Sequence, residues 1–186
     1  NPKQARPAAG SFPSAEGAKA AIFQKTGLLG ICNTYQFTNR FENTSILYGT
    51  VSHITNPTFR NYETRQEPHF GARTIFHWTP QKTSDFIQIV FGAEMQQGFF
   101  NTKDFGNVNG KPDTIQTNDN IRNSILSLFA QADFRLKNDW SITAGVGSTE
   151  SYIRITRLSV PSAVPQKRTY RNELAPRLAI SKKLFG

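Results

Sequence analysis

Residues 124–146 read SILSLFAQADFRLKNDWSITAGV, and their spacing decides the fold class. Leu126, Leu128, Ala130, Ala132, Phe134 and Leu136 fall on every second position. Ser127, Gln131, Asp133 and Arg135 fill the positions between, with Phe129 the exception. A β-strand turns successive side chains to opposite faces, so a period of two makes one apolar face and one polar face. After Lys137, Asn138 and Asp139 the alternation resumes, with Trp140, Ile142, Ala144 and Val146 against Ser141, Thr143, Gly145 and Gly147. Two alternating runs joined by a short polar connection read as a hairpin.

The same period recurs on both sides of this hairpin. Ile87, Ile89, Phe91, Ala93 and Met95 alternate with Gln88, Val90, Gly92, Glu94 and Gln96. Phe70, Ala72, Phe76 and Trp78 share a face interrupted by Thr74, opposite His69, Gly71, Arg73 and His77. Ile31, Tyr35 and Phe37 oppose Cys32, Thr34, Gln36 and Thr38, and Leu174, Leu178 and Ile180 oppose Arg177 and Ser181. The stretch Thr44–Ile54 is extended without assignable faces. The expected strands are therefore 28–38, 44–54, 69–78, 86–99, 122–136, 140–155 and 173–184. Residues 1–14 read as loop, and SAEGAKAAIFQK, from Ser14 to Lys25, as a short surface helix, so that 1–27 form a loop with a short helix.

The expected connections alternate short and long: 39–43, 55–68, 79–85, 100–121, 137–139 and 156–172. An up-and-down sheet with tight turns at one end and long polar loops at the other is the arrangement of outer-membrane barrels. Strands of roughly 8 to 16 residues exceed the mode of about 5 to 6 in globular proteins and suit a tilted membrane crossing of about 9 to 11. Trp78 and Trp140 flank short turns, with Phe86 across the turn from Trp78, where an interfacial aromatic belt belongs. Arg73, Glu94, Asp133 and Arg135 on the polar face are costly in a dry core but at home beside water or a polar plug. Two other readings stay open at this point: a soluble antiparallel barrel or sandwich that binds a ligand or partner, and a small complete outer-membrane barrel with an eighth strand within residues 1–27.

Composition removes other classes. No window approaches the roughly 20 apolar residues of a spanning helix, whereas a mean hydropathy of −0.48 is compatible with strands that show lipid only every second residue. A single cysteine, Cys32, excludes an internal disulfide, and three scattered histidines form no metal-site spacing. The net charge of +9 is spread over the chain without a dense basic run, which argues against nucleic acid. No nucleophile elbow, carboxylate pair or Gly-rich phosphate loop is present, so neither enzyme nor cofactor is expected.

Residues 127–146, SLFAQADFRLKNDWSITAGV, resemble the barrel hairpin of TonB-dependent outer-membrane receptors, in which a strand of this type leads through a short periplasmic turn into a strand opened by Trp. Residues 172–184, NELAPRLAISKKL, resemble a later strand of that family, and 91–110, FGAEMQQGFFNTKDFGNVNG, the strand that leaves the membrane for a long extracellular loop. The resemblance implies a segment of a 22-stranded barrel closed around a plug, which takes up a siderophore, haem or similar complex with energy passed from TonB. It also implies an iron-transport receptor of the Gram-negative outer membrane, with lipid, lipopolysaccharide, the plug of the parent chain and TonB as partners. No plug-like segment, TonB box or terminal aromatic strand is seen. The seven strands are too few to close such a barrel, so the chain reads as an internal fragment.

On that resemblance, Arg73, Glu94, Gln131, Asp133 and Arg135 face the plug and lumen, and Trp78, Phe86 and Trp140 mark the membrane interface. Arg60, Tyr62, His69, Phe99, Phe100, Phe105, Arg157 and Arg168 are candidates for ligand contact from extracellular loops. The phenylalanines read equally as girdle or loop packing, His69 as a polar lumen residue, and the cations as solvated loop charges. Arg65, Lys103, Lys111, Lys167 and Arg171 join Arg60, Arg157 and Arg168 as candidates for lipopolysaccharide phosphates or an anionic ferric chelate.

Overall fold

The computed structural model describes residues 15–80 and 86–184. It contains seven strands: β1 Phe23–Thr38, β2 Phe41–Pro57, β3 Asn61–Trp78, β4 Phe86–Val108, β5 Lys111–Arg135, β6 Trp140–Arg157 and β7 Gln166–Lys182. Each pairs antiparallel with its neighbour in sequence, giving one sheet in the order β1-β2-β3-β4-β5-β6-β7. β1 and β7 do not pair with each other, so the sheet is open and keeps two free edges.

The register joins the alternating runs into continuous rows. Trp78 lies opposite Phe41 and Ile89, Phe76 opposite Phe91, Ala93 opposite Leu128, Ala130 opposite Val146, and Ile142 opposite Ile180. The alternating apolar positions of these strands therefore share one face. The faces of β2, unreadable in sequence, follow from its partners: Phe41, Leu47 and Val51 join the apolar face, and Thr44, Ile46, Tyr48 and Thr50 the polar one. Aromatic rings cluster at the turn end, where Phe37, Phe41, Phe76 and Phe91 stack in sequence at centroid separations of 5.2, 5.7 and 5.1 Å. Phe70 and Phe99 stack at the far edge of the same face, 6.1 Å apart. From Ile89, opposite Trp78, to Phe99 is ten residues, about 33 Å of strand, which at a tilt of about 40° spans roughly the 25 Å of an apolar membrane band.

Exposure is inverted relative to a water-soluble sheet. Leu126, Leu128 and Val146 are 45, 53 and 46% exposed, whereas Ser127, Phe129, Gln131 and Asp133 on the other face are half-buried. Among the described residues there is no buried hydrophobic core. A soluble sandwich or lipocalin-like barrel covers its apolar face with a second sheet or by closure, and the described strands of this chain do neither. Of the segment expected to hold an eighth strand, residues 23–27 belong to β1, and the described strands do not close.

Two expectations are corrected. The segment Ser14–Lys25 is not a helix: Ala15–Lys19 make a turn and Phe23–Lys25 already belong to β1, while residues 1–14 lie outside the described residues. The helix propensity of a segment interrupted by Gly17 does not outweigh a ladder partner when Phe23, Gln24 and Lys25 pair with Thr55, Ile54 and His53. The long connections are not loops either. Residues 55–57 and 61–68, 100–108 and 111–121, and 156–157 and 166–172 continue the strands as polar ribbons, leaving turns of only 58–60, 109–110 and 158–165 at that end. Their backbone groups pair across the ladder whether or not the side chains alternate in polarity.

Candidate functional site

The polar face of β2–β6 carries a connected set of side chains. Arg73 and Glu94 are direct cross-strand partners, with Nη1 3.7 Å from Oε2. The Tyr48 hydroxyl donates to Glu94 Oε1 at 3.3 Å and Gln96 Nε2 donates to the same oxygen at 2.8 Å. The Tyr48 ring reaches Glu94 from β2 by crossing β3 over Gly71, where any Cβ would collide with the phenol ring. Gly92 does the same for Phe129, and the Arg73 guanidinium lies over that ring at 5.4 Å. Nearer the turns, Asp133 accepts from Gln131 Nε2 at 2.9 Å and from Thr143 Oγ1. Arg73, Glu94, Gln131, Asp133 and Arg135 therefore do share one face, and the first four of these lie in two clusters joined by hydrogen bonds and, for Arg73, by its ion pair with Glu94.

At the other end the polar ribbons are held by their own contacts. Arg65 donates to Glu63 at 2.7 Å from Nε and 2.9 Å from Nη2, so the guanidinium holds the Glu63 carboxyl below the usual carboxylate range. Arg157 makes the same two-pronged contact with Asp119, at 2.9 Å for each bond, and lowers that carboxyl likewise. Asn101 Nδ2 donates to Asn118 and Asn120, both at 2.8 Å, and Asp104 accepts from Asn61 and Thr117 at 3.0 and 2.9 Å.

The candidate ligand residues are dispersed rather than gathered. Only Arg60 sits in a turn, its guanidinium 5.2 Å from the Phe59 ring. Tyr62 and Phe105 are cross-strand partners in the ribbons, and Arg168 pairs with Ile153 in β7. Arg157 is engaged by Asp119. His69 lies on the polar face, its Nδ1 2.8 Å from the Thr50 hydroxyl. Phe99 is corrected: its ring packs on Phe70 on the apolar face and cannot meet a ligand on the polar one, whereas Phe100 is on the polar face near Gly98 and Asn123. At the turn end, Trp78 and Trp140 lie in the apolar row, and the backbone of Phe86 pairs with Arg135. Among the described residues no group of three His, Cys, Asp or Glu side chains is arranged to hold a metal.

Sequence reasoning missed Asn107. Its Nδ2 donates to the Thr58 and Ala18 carbonyls at 2.7 and 2.9 Å, and its Oδ1 accepts from the Gly110 amide at 2.8 Å. One side chain thus ties together three turns, 15–19, 58–60 and 109–110. A lone Asn in a polar stretch carries no sequence signal of this. The Asn109-Gly110 pair, with φ of 52° and 78°, does, because two left-handed residues make the favoured two-residue hairpin turn.

With this geometry, likeness in fold becomes informative. The structure matches the ferric citrate transporter FecA in its unliganded form with a TM-score of 0.71 at 10% identity, over 88% of this chain and 26% of that one. The seven-stranded sheet has the fold of part of that protein's barrel. BauA, the ferric preacinetobactin receptor from Acinetobacter baumannii, matches with a TM-score of 0.62 at 10% identity, over 88% of this chain and 29% of that one. The resemblance drawn from residues 127–146 and 172–184 thus holds at the level of fold, and the chain spans between a quarter and a third of each receptor barrel chain. No protein-family model and no curated protein matches the sequence.

Proposed function

We propose that this chain is part of the membrane barrel of a TonB-dependent outer-membrane receptor that takes up a ferric siderophore or similar nutrient complex. The observation that supports this is the fold likeness to two proteins that both handle ferric chelates. The inverted exposure of the sheet fits the same reading: the apolar face meets lipid, with Trp78 and Trp140 at the periplasmic interface. The Arg73–Glu94–Tyr48 and Asp133–Gln131–Thr143 clusters face the lumen, where a plug of the complete receptor would meet polar, hydrogen-bonding partners rather than a dry wall.

The polar ribbons then stand outside the membrane. By register Tyr62 and Phe105 continue the face of Phe99, so Phe100, Arg60 and Arg168, with His69 just beneath them, are the residues through which the upper end meets an incoming complex, and energy coupling belongs to TonB and to other parts of the receptor. The test is uptake of radioactive iron by cells that carry the complete receptor as their only ferric-chelate importer. Uptake of at least one ferric chelate that depends on TonB supports the reading. Normal insertion in the outer membrane with no TonB-dependent uptake of any ferric, haem or cobalamin complex contradicts it.

A further inference from the structure

One row of the sheet breaks the usual rule for neighbouring charges. Arg122 lies directly opposite Arg154, and Arg154 directly opposite Lys167, on three adjacent strands. With strands about 4.8 Å apart, the three stems leave the sheet within roughly 10 Å of one another. Like charges directly opposite are unfavourable, and a folded sheet normally intersperses carboxylates. None is interspersed here: the four ion pairs among the described residues use Arg65 (with both Glu63 and Glu67), Arg73 and Arg157, and none of these three cations. Glu150, on the same face of β6, is four residues from Arg154, about 13 Å along the strand. Arg154 Nε is shielded from solvent and has no hydrogen-bond partner.

The row's position tells what it meets. By register Arg122 is opposite Phe99, which stacks on Phe70, so all three cations project from the apolar face at its upper edge. The Arg122 guanidinium lies 5.7 Å from the Phe99 ring centroid, and Tyr152, paired with Ser124 and Thr169, is the next residue down on this face. Phe99 at the end of the row, Tyr152 one step below it and three cations without a carboxylate partner form a step from hydrocarbon to anion.

The geometry points to a binding site for a phosphorylated lipid headgroup of the outer leaflet, held by Arg122, Arg154 and Lys167 with its acyl chains along Phe99 and Tyr152. This rests on the membrane reading above and adds a specific lipid partner to it. The two guanidinium forks can each engage phosphate oxygens bidentately, and the ammonium supplies a third charge. Charge-assisted bonds of this kind make removal of one cation worth about a tenfold loss in affinity.

The test uses the complete receptor barrel in detergent and then in lipid nanodiscs. Heat-modifiable migration is read first: a chain that never shows the compact barrel form overturns both the membrane reading and the site. With the barrel formed, native mass spectrometry compares bis-phosphorylated lipid A with its dephosphorylated counterpart. The expected result is retention of the phosphorylated glycolipid, a roughly tenfold loss in each of R122Q, R154Q and K167Q, and no retention in the triple variant. A Lys137→Gln, Lys182→Gln double variant, which removes two charges at the opposite end of the sheet, should bind as the unaltered protein does. Equal retention of both lipids, equal loss in the control variant, or complete displacement by millimolar inorganic phosphate would overturn the proposal.

Discussion

β4 is two materials on one backbone. From Phe86 to Phe99 it reads FIQIVFGAEMQQGF and keeps an apolar residue at every second position from Ile87 to Met95; from Phe100 to Val108 it reads FNTKDFGNV and keeps no such period. Both halves pair with β3 and β5, with a break in the β3 ladder at Phe99 and Phe100 and shifts against β5 at Asp104–Asn107. The difference teaches that hydrogen bonding alone makes a strand, whereas alternation is needed only where one face meets an apolar medium. The lower half is specified by side chains; the upper half is held by its turn and by side-chain hydrogen bonds such as those of Asn101, Asp104 and Asn107.

The comparison breaks most visibly under a charge placed on the apolar face. Leu128→Arg, in mid-band, is expected to cost about 2–4 kcal/mol, whereas Gln116→Arg in the upper half of β5 should stay within about 0.5 kcal/mol. Unfolding midpoints of the complete barrel in urea measure both. Comparable losses at the two sites would mean that the halves do not face different media.

On the polar face the limiting factor is space. Gly71→Val should cost about 1–3 kcal/mol because its side chain displaces the Tyr48 ring, and in a Tyr48→Ala background the same change should cost clearly less. Additive costs would show that the crossing of β3 by Tyr48 is not what requires glycine there. In the upper half, Gly110→Val forces a β-branched residue to a φ of 78° and should cost about 1–2 kcal/mol, seen as faster amide exchange at 105–115 with no change at 126–134.

The smallest effect is electrostatic. Glu63 and Asp119 have lowered pKa values when folded, so their contribution is present above the ordinary carboxylate pKa of about 4 and fades as pH falls through the lowered value. Acidification from pH 6 to below about 3 should therefore loosen 61–67 and 117–121 in amide exchange before the band responds. Loosening on raising the pH instead would reverse the sign of the argument.

How much was legible follows the same division. Strand edges at the turn end, such as Trp78, Phe86, Arg135 and Trp140, were readable because aromatic or alternating residues stop against polar turn residues. The upper ends were read as loops because Asn, Asp, Lys and Gly have low strand propensity and the segments have no period. Asn109-Gly110 was the one sequence mark of the β4–β5 turn, and a hairpin centred on it extends both strands. The polar-face residues could be grouped by parity alone, since the ladder keeps parity across strands. Asn107 and the Arg122, Arg154 and Lys167 row could not, because both depend on register between distant strands.

The most direct test of the two-faced sheet is thiol labelling of the complete barrel in intact cells, in a Cys32→Ser background, with a membrane-impermeant water-soluble reagent after mild outer-membrane permeabilisation to small molecules. Single cysteines at Gln131 and Asp133 should react, while those at Leu128 and Ala130, one strand period away on the other face, should remain unmodified until the membrane is dissolved. Equal labelling of the four positions in intact membranes would contradict the assignment of the apolar face to lipid.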